Sequence, residues 1–110
     1  MENNCYKQRG NNDKYPLEVL TWKLGEDVPD WLSDLAKIGA MDANTNKVSL
    51  ETRNTNQGGY ELLDSSGQGI LLKTKSKTDL ICKDTKKSAG GLFVLSLVQF
   101  NLIYDGRQDN

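Results

Sequence analysis

The sequence predicts an α+β domain, either a small antiparallel sheet or a partly closed barrel, carrying one short N-terminal helix. Three observations point there. Several short runs alternate apolar and polar residues, as strands with one buried face do. Clusters rich in Gly, Asn and Ser join those runs locally. Only one stretch repeats its apolar residues at helical spacing. A chain of 110 residues suits one domain with a modest core.

Taken in order, residues 1–14 read as a disordered polar tail of Asn, Gln, Gly and charge. The domain is expected to span residues 15–105. "LEVLTWK" (17–23) alternates as a strand, with Leu17, Val19 and Thr21 on one face. "GEDVPDWLSDLAKIG" predicts a helix over residues 28–38. Asp27 is placed to cap it, Pro29 is tolerated in its first turn, and Asp30 suits the positive end of its dipole. Val28, Trp31, Leu32, Leu35 and Ile38 form its apolar stripe, and Gly39 is expected to end it in a left-handed conformation. Trp22 and Trp31 are expected to pack together in the core.

"DANTNK" is a turn cluster and "KVSLETR" (47–53) a strand with Val48 and Leu50 inward. "NTNQGG" is a loop. "YELLD" and "GILLKT" flank "SSGQ" as a hairpin, and "TDLICKD" is a further strand. "KKSAGG" is a loop. "GLFVLSLVQFNLIYD" reads as one bent strand or as two strands broken near Gln99, and residues 106–110 as a frayed tail. The closing strand is apolar on both faces, so residues 92–104 are expected to be partly covered in a homo-oligomer.

The net charge of -1 conceals an asymmetry. Residues 73–87 hold six Lys and two Asp, whereas residues 1–72 hold seven basic and eleven acidic side chains. So narrow a basic window argues against long duplex nucleic acid, whose binding needs a broad basic surface. It leaves room for a small anionic ligand. No run has the length and apolarity of a membrane span, and the opening residues do not resemble a signal peptide, which predicts a cytoplasmic protein. Cys5 and Cys82 are then expected to be reduced and inert.

The chain contains no His, which removes the commonest general base and metal ligand near neutral pH. Glu26, Asp27 and Asp30 sit close in sequence, but capping and helix polarity account for them. Neither "NQGG" nor "SAGG" has the length or the Lys-Ser/Thr ending of a phosphate loop. The inventory predicts a protein that is not an enzyme and uses no cofactor or metal. If "KTKSK" continues its strand, Lys73, Lys75 and Lys77 project from one face about 7 Å apart, a spacing suited to successive phosphates. Arg53, Lys83, Lys86 and Lys87 are candidates to complete the cationic collar. Tyr60, Phe93 and Tyr104 are the aromatic candidates for holding a base. The competing explanation is that exposed lysines simply keep a strand from pairing with its neighbours.

Ordered short motifs in this chain resemble a small accessory-protein family of tailed phages and prophages. "LEVLTWKLGEDVPDWL" is similar to the family's opening at Glu18, Trp22, Pro29, Trp31 and Leu32. "VSLET" resembles its next strand, and "TDLICKD" resembles its Gly-Asp-Trp-Ile signature at Asp79, Ile81 and Lys83. Thr78, Leu80 and Asp84 depart from that signature, as expected of a divergent member. Phe100, Tyr104 and Asp105 match its Phe-x-x-x-Tyr-acidic ending. The family brings no established activity. The resemblance implies a host-cell setting in which small proteins act by binding. Together with the lysines, it leads to the expectation of sequestering a phosphate-bearing nucleotide signal used in host defence. The alternatives are an inhibitor that binds a host enzyme or nuclease directly, and a minor structural part of the phage.

Overall fold

In the computed structural model, residues 4–87 and 91–107 are described. They are mostly β-structure with two short helices, and their sheets are antiparallel and unclosed. The chain divides into two compact units: residues up to Lys23 together with those from Thr78 onward, and the intervening Leu24–Lys77. The single domain expected over 15–105 thus begins earlier in the chain and has two parts.

The first unit is a five-stranded sheet in the order β10-β1-β2-β8-β9. Its strands are β1 (Asn4–Gln8), β2 (Glu18–Lys23), β8 (Leu80–Asp84), β9 (Leu92–Leu95) and β10 (Tyr104–Arg107). β2 and β8 are the expected strands, with Val19 opposite Asp84 and Thr21 opposite Cys82. One face gathers Val19, Leu80, Cys82, Leu95, Phe100 and Tyr104 into a core, flanked by Tyr6, Tyr15, Phe93 and Ile103. Trp22 and Ile81, of the opposite strand parity, are buried as well.

β1 corrects the reading of residues 1–14 as disordered. Tyr6 supplies an anchor there: it lies opposite Val19, and its ring meets Phe100 edge-on at 4.9 Å. The Gln8 amide then closes the β1–β2 connection by donating to the carbonyls of Asn12 and Tyr15. At the other end, residues 106 and 107 belong to β10 instead of a frayed tail, and residues 108–110 lie outside the described residues.

The last apolar segment also differs from expectation. Between β9 and β10 it folds into helix α2 (Leu97–Ile103), not a bent or broken strand. Ser96 and Gln99 form a capping box: the Gln99 N–H donates to the Ser96 hydroxyl at 3.1 Å and the Ser96 N–H to the Gln99 side chain at 3.2 Å. Phe100 is the residue this helix buries, stacked on Tyr104 at 5.2 Å.

The second unit holds α1 (Asp30–Ser33), a two-stranded sheet of β3 (Ile38–Met41) and β4 (Val48–Leu50), and a three-stranded sheet β5-β6-β7. The latter comprises β5 (Thr52–Asn54), β6 (Tyr60–Leu63) and β7 (Ile70–Lys73). The helix expected over 28–38 is one turn long. Its N-cap is Pro29, with no side-chain cap, while Asp27 pairs with Lys47 at 3.3 Å. Sheet bonding overrides the helical stripe after Ala36: the Lys37 N–H donates to Leu63 O, and Lys37 O accepts from the Glu51 N–H, both at 2.9 Å. Ile38 is therefore exposed in a strand, and Gly39 is extended instead of capping a helix. The same Glu51 contact divides the predicted 47–53 strand into β4 and β5. Trp31 is half-buried in α1, in a different unit from Trp22.

The "SSGQ" hairpin forms as expected. Asp64 organises it by accepting from the Ser66 hydroxyl at 2.5 Å and from the Ser66 and Gly67 N–H groups, each at 3.1 Å. These bonds, that of the Ser66 hydroxyl foremost, hold the Asp64 carboxyl below its ordinary pKa. Gly67 supplies the left-handed turn residue, at φ +78.

Candidate ligand-binding surface

The candidate residues fall in both units. Arg53, Tyr60, Lys73, Lys75 and Lys77 belong to the second, and Lys83, Lys86 and Tyr104 to the first. The lysine row does not share one strand face, because β7 stops at Lys73 and Lys75 and Lys77 lie in the bend and turn beyond it. Thr74 ends the strand. Its N–H donates to Tyr60 O at 2.9 Å, while its buried hydroxyl accepts from the Tyr60 N–H at 3.0 Å. This local side-chain bond replaces the next rung of the ladder. Lys75 and Lys77 are exposed, but without the regular spacing of an extended strand.

Arg53 and Lys73 do come together, on either side of Glu61. The three residues are register partners across β5, β6 and β7. Glu61 lies 3.8 Å from the Arg53 guanidinium and 3.5 Å from the Lys73 ammonium. Both cationic side chains remain more than half exposed, whereas Glu61 is largely covered. Exposed pairs of this kind contribute at most about 1 kcal/mol each, so an incoming polyanion can displace the carboxylate's hold. Glu61→Gln is expected to tighten tripolyphosphate binding here about fivefold at low ionic strength, with the gain fading as salt is added. Titration calorimetry at two salt concentrations measures it. Unchanged affinity would remove this row from the ligand surface.

The aromatic candidates and Lys83 are engaged in folding. Tyr60 is 1% exposed, so its ring has no open face for a base. Tyr104 is buried too, its hydroxyl donating to Pro16 O at 2.9 Å, and burial pushes its pKa up. Phe93 is half-buried, tilted against Tyr15 at 6.0 Å. Lys83 is 6% exposed. Its ammonium donates to the carbonyls of Asp84 and Lys87 and so closes the turn after β8. Lys86 and Lys87 are exposed on that turn. The cationic candidates thus divide between a row about Glu61 in the second unit and turn lysines in the first.

Burial disfavours the thiolate at both cysteines. Cys82 is buried in β8, which pushes its pKa up to about 12. Cys5 is half-buried in β1, and its pKa is raised by burial first and by Glu18 second. Among the described residues, no group of three or more Cys, Asp or Glu is arranged to hold a metal ion, and no helix is long and apolar enough to cross a membrane.

The apolar surface expected within residues 92–104 lies on a helix, not on a strand. On α2, Leu97, Val98 and Leu102 point outward, and Val98 and Leu102 are 71% and 74% exposed. Val98 and Leu102, in i,i+4 relation, lie on the side of the helix away from Phe100, and Leu97 borders them at its first turn. The pattern Ser96-x-x-Gln99 ahead of an apolar run was the signal that could have revealed this helix. Compared with known proteins, the chain matches no protein-family model, no curated protein and no solved structure.

Proposed function

We propose that this is a non-catalytic phage or prophage protein that counters host defence in the host cytoplasm by sequestering a small phosphate-bearing nucleotide signal. The observation that carries this reading is the grouping of Arg53 and Lys73 about Glu61, followed within four residues by the exposed Lys75 and Lys77. Ammonium and guanidinium groups at such a position favour phosphate oxygens. With Tyr60 and Tyr104 both buried, the reading narrows to recognition of phosphate in place of stacking on a base. The motif resemblance supplies the biological setting, and the His-free inventory favours binding over catalysis. A homo-oligomer joined through residues 92–104 is part of the same reading.

The test is native mass spectrometry of the protein mixed with mono-, di- and cyclic nucleotides. A ligand that is retained and then recovered chemically unchanged supports sequestration. Replacing Lys73, Lys75 and Lys77 together by Ala is expected to weaken its binding roughly a thousandfold or more, from charge-assisted bonds of about 1.5–3 kcal/mol each. Undiminished binding by that variant would sink the assignment of these lysines.

A second reading, direct inhibition of a host enzyme or nuclease, is favoured by the exposed apolar side of α2. It predicts a stable protein complex, indifference to nucleotides, and loss of the complex on Val98→Asp.

A further inference from the structure

The two edges of the five-stranded sheet are built differently. The ladder of the β10 edge with β1 is irregular between Tyr6 and Gln8. Charge and irregularity are the devices that keep an edge from recruiting another strand. The β9 edge, "LFVL", has no charge, proline or glycine, and its ladder with β8 is regular through all four residues. α2 leaves from the end of β9 and places Phe100 in the core on its way to β10 at the opposite edge.

The hydrogen-bond phase of β9 can be read directly. The Asp84 N–H donates to Gly91 O at 3.1 Å, which makes Asp84 and Gly91 a hydrogen-bonded pair of the antiparallel ladder. Such pairs alternate with non-bonded ones. Cys82–Phe93 and Leu80–Leu95 are therefore the bonded pairs, and Ile81–Val94 and Lys83–Leu92 are not. It follows that Leu92 and Val94 direct both their N–H and their C=O groups away from β8, along the outer edge.

We infer that β9 is a pairing edge for a second copy of this chain, with Leu92 of one copy opposite Val94 of the other about a two-fold axis through Phe93. That register uses every outward backbone group of the strand, in four hydrogen bonds. It sets the two Phe93 residues opposite each other as the central non-bonded pair. Because Leu92 and Val94 share strand parity, the corresponding faces of the two sheets stay on the same side, giving one continuous ten-stranded sheet. The strand is complementary to itself in this register, which is why the partner is a second copy: an uncharged edge holds no code for a different sequence. The inference gives a definite register to the self-association included in the proposed function, and it does not depend on any ligand.

Val94→Pro tests it. An outward N–H is the one backbone donor of an edge strand that proline can replace without breaking the ladder within the molecule. Sedimentation equilibrium without nucleotide is expected to show a dimer for the wild type and a monomer for Val94→Pro, with circular dichroism spectra that coincide. Val94→Lys, which keeps the N–H but adds charge at the joint, is expected to weaken the dimer at low salt. A wild type that stays monomeric up to millimolar concentration would overturn the inference. So would a folded Val94→Pro that dimerises as the wild type does. Nucleotide binding is measured separately on the same variants, so a failure of pairing and a failure of sequestration are read apart.

Discussion

Gly59→Ala is expected to cost about 3 kcal/mol or more, seen as a large fall in the urea midpoint. The cause is steric and lies in the backbone. A Cβ on Gly59 would stand 2.0 Å from the carbonyl oxygen of Thr74 and 2.9 Å from the carbonyl carbon of Lys75. No side-chain rotation relieves such a contact, so the end of β7 has to move away from the start of β6. That movement threatens the bonds between Tyr60 and Thr74. It also disturbs the β5–β6 connection, where the Gly59 N–H donates to the Thr55 hydroxyl at 3.1 Å and Gly59 O accepts from the Thr55 N–H at 3.0 Å. Gly10→Ala is the control, since nothing lies within 4 Å of the added methyl group. Equal midpoints for the two variants would show that β7 yields without cost.

Phe100→Ala is the second large effect, with an expected loss of about 3–5 kcal/mol. Phe100 is the side chain that fastens α2 to the sheet, meeting Tyr6 edge-on and Tyr104 face-on. Its removal leaves a cavity bordered by two aromatic rings that belong to different strands. Leu102→Ala, on the exposed side of the same short helix, is expected to change stability by no more than about 0.5 kcal/mol. Thermal unfolding of the pair checks the prediction. A small loss at Phe100 would mean that the first unit holds together without its helix.

These residues also show which parts of the structure could be read from the sequence. β2, β8 and the hairpin around Gly67 were legible because their information is local: alternation in the strands, turn chemistry in the hairpin. α1 was overextended because Lys37 takes its partners from Leu63 and Glu51, which no helical stripe discloses. β1 was hidden because one half-buried tyrosine among polar residues is a weak signal until Phe100 and Val19 are seen beside it. The segment 92–105 misled because its apolar residues satisfy two periods, and the capping pair Ser96 and Gln99 decides between them. At the candidate site, the composition located the positive charge but not its use. Lys83 closes a turn, and Arg53 and Lys73 share Glu61. Such assignments depend on contacts between residues far apart in the chain.

The order β10-β1-β2-β8-β9 has a bearing on how the protein is made. β1 and β2 can pair as soon as they emerge from the ribosome, but β8 reaches β2 only after the whole of Leu24–Lys77 has been synthesised. Until then the young hairpin exposes both of its edges, and Tyr6 waits for a phenylalanine more than ninety residues downstream. The second unit draws its strands from one uninterrupted stretch and is free to fold in that interval. Pairing over such sequence distances carries a loop-closure cost and slows folding. The sheet formed from the early and late parts of the chain is thus the last to assemble, and the nascent protein is most open to misassembly shortly before synthesis reaches β8.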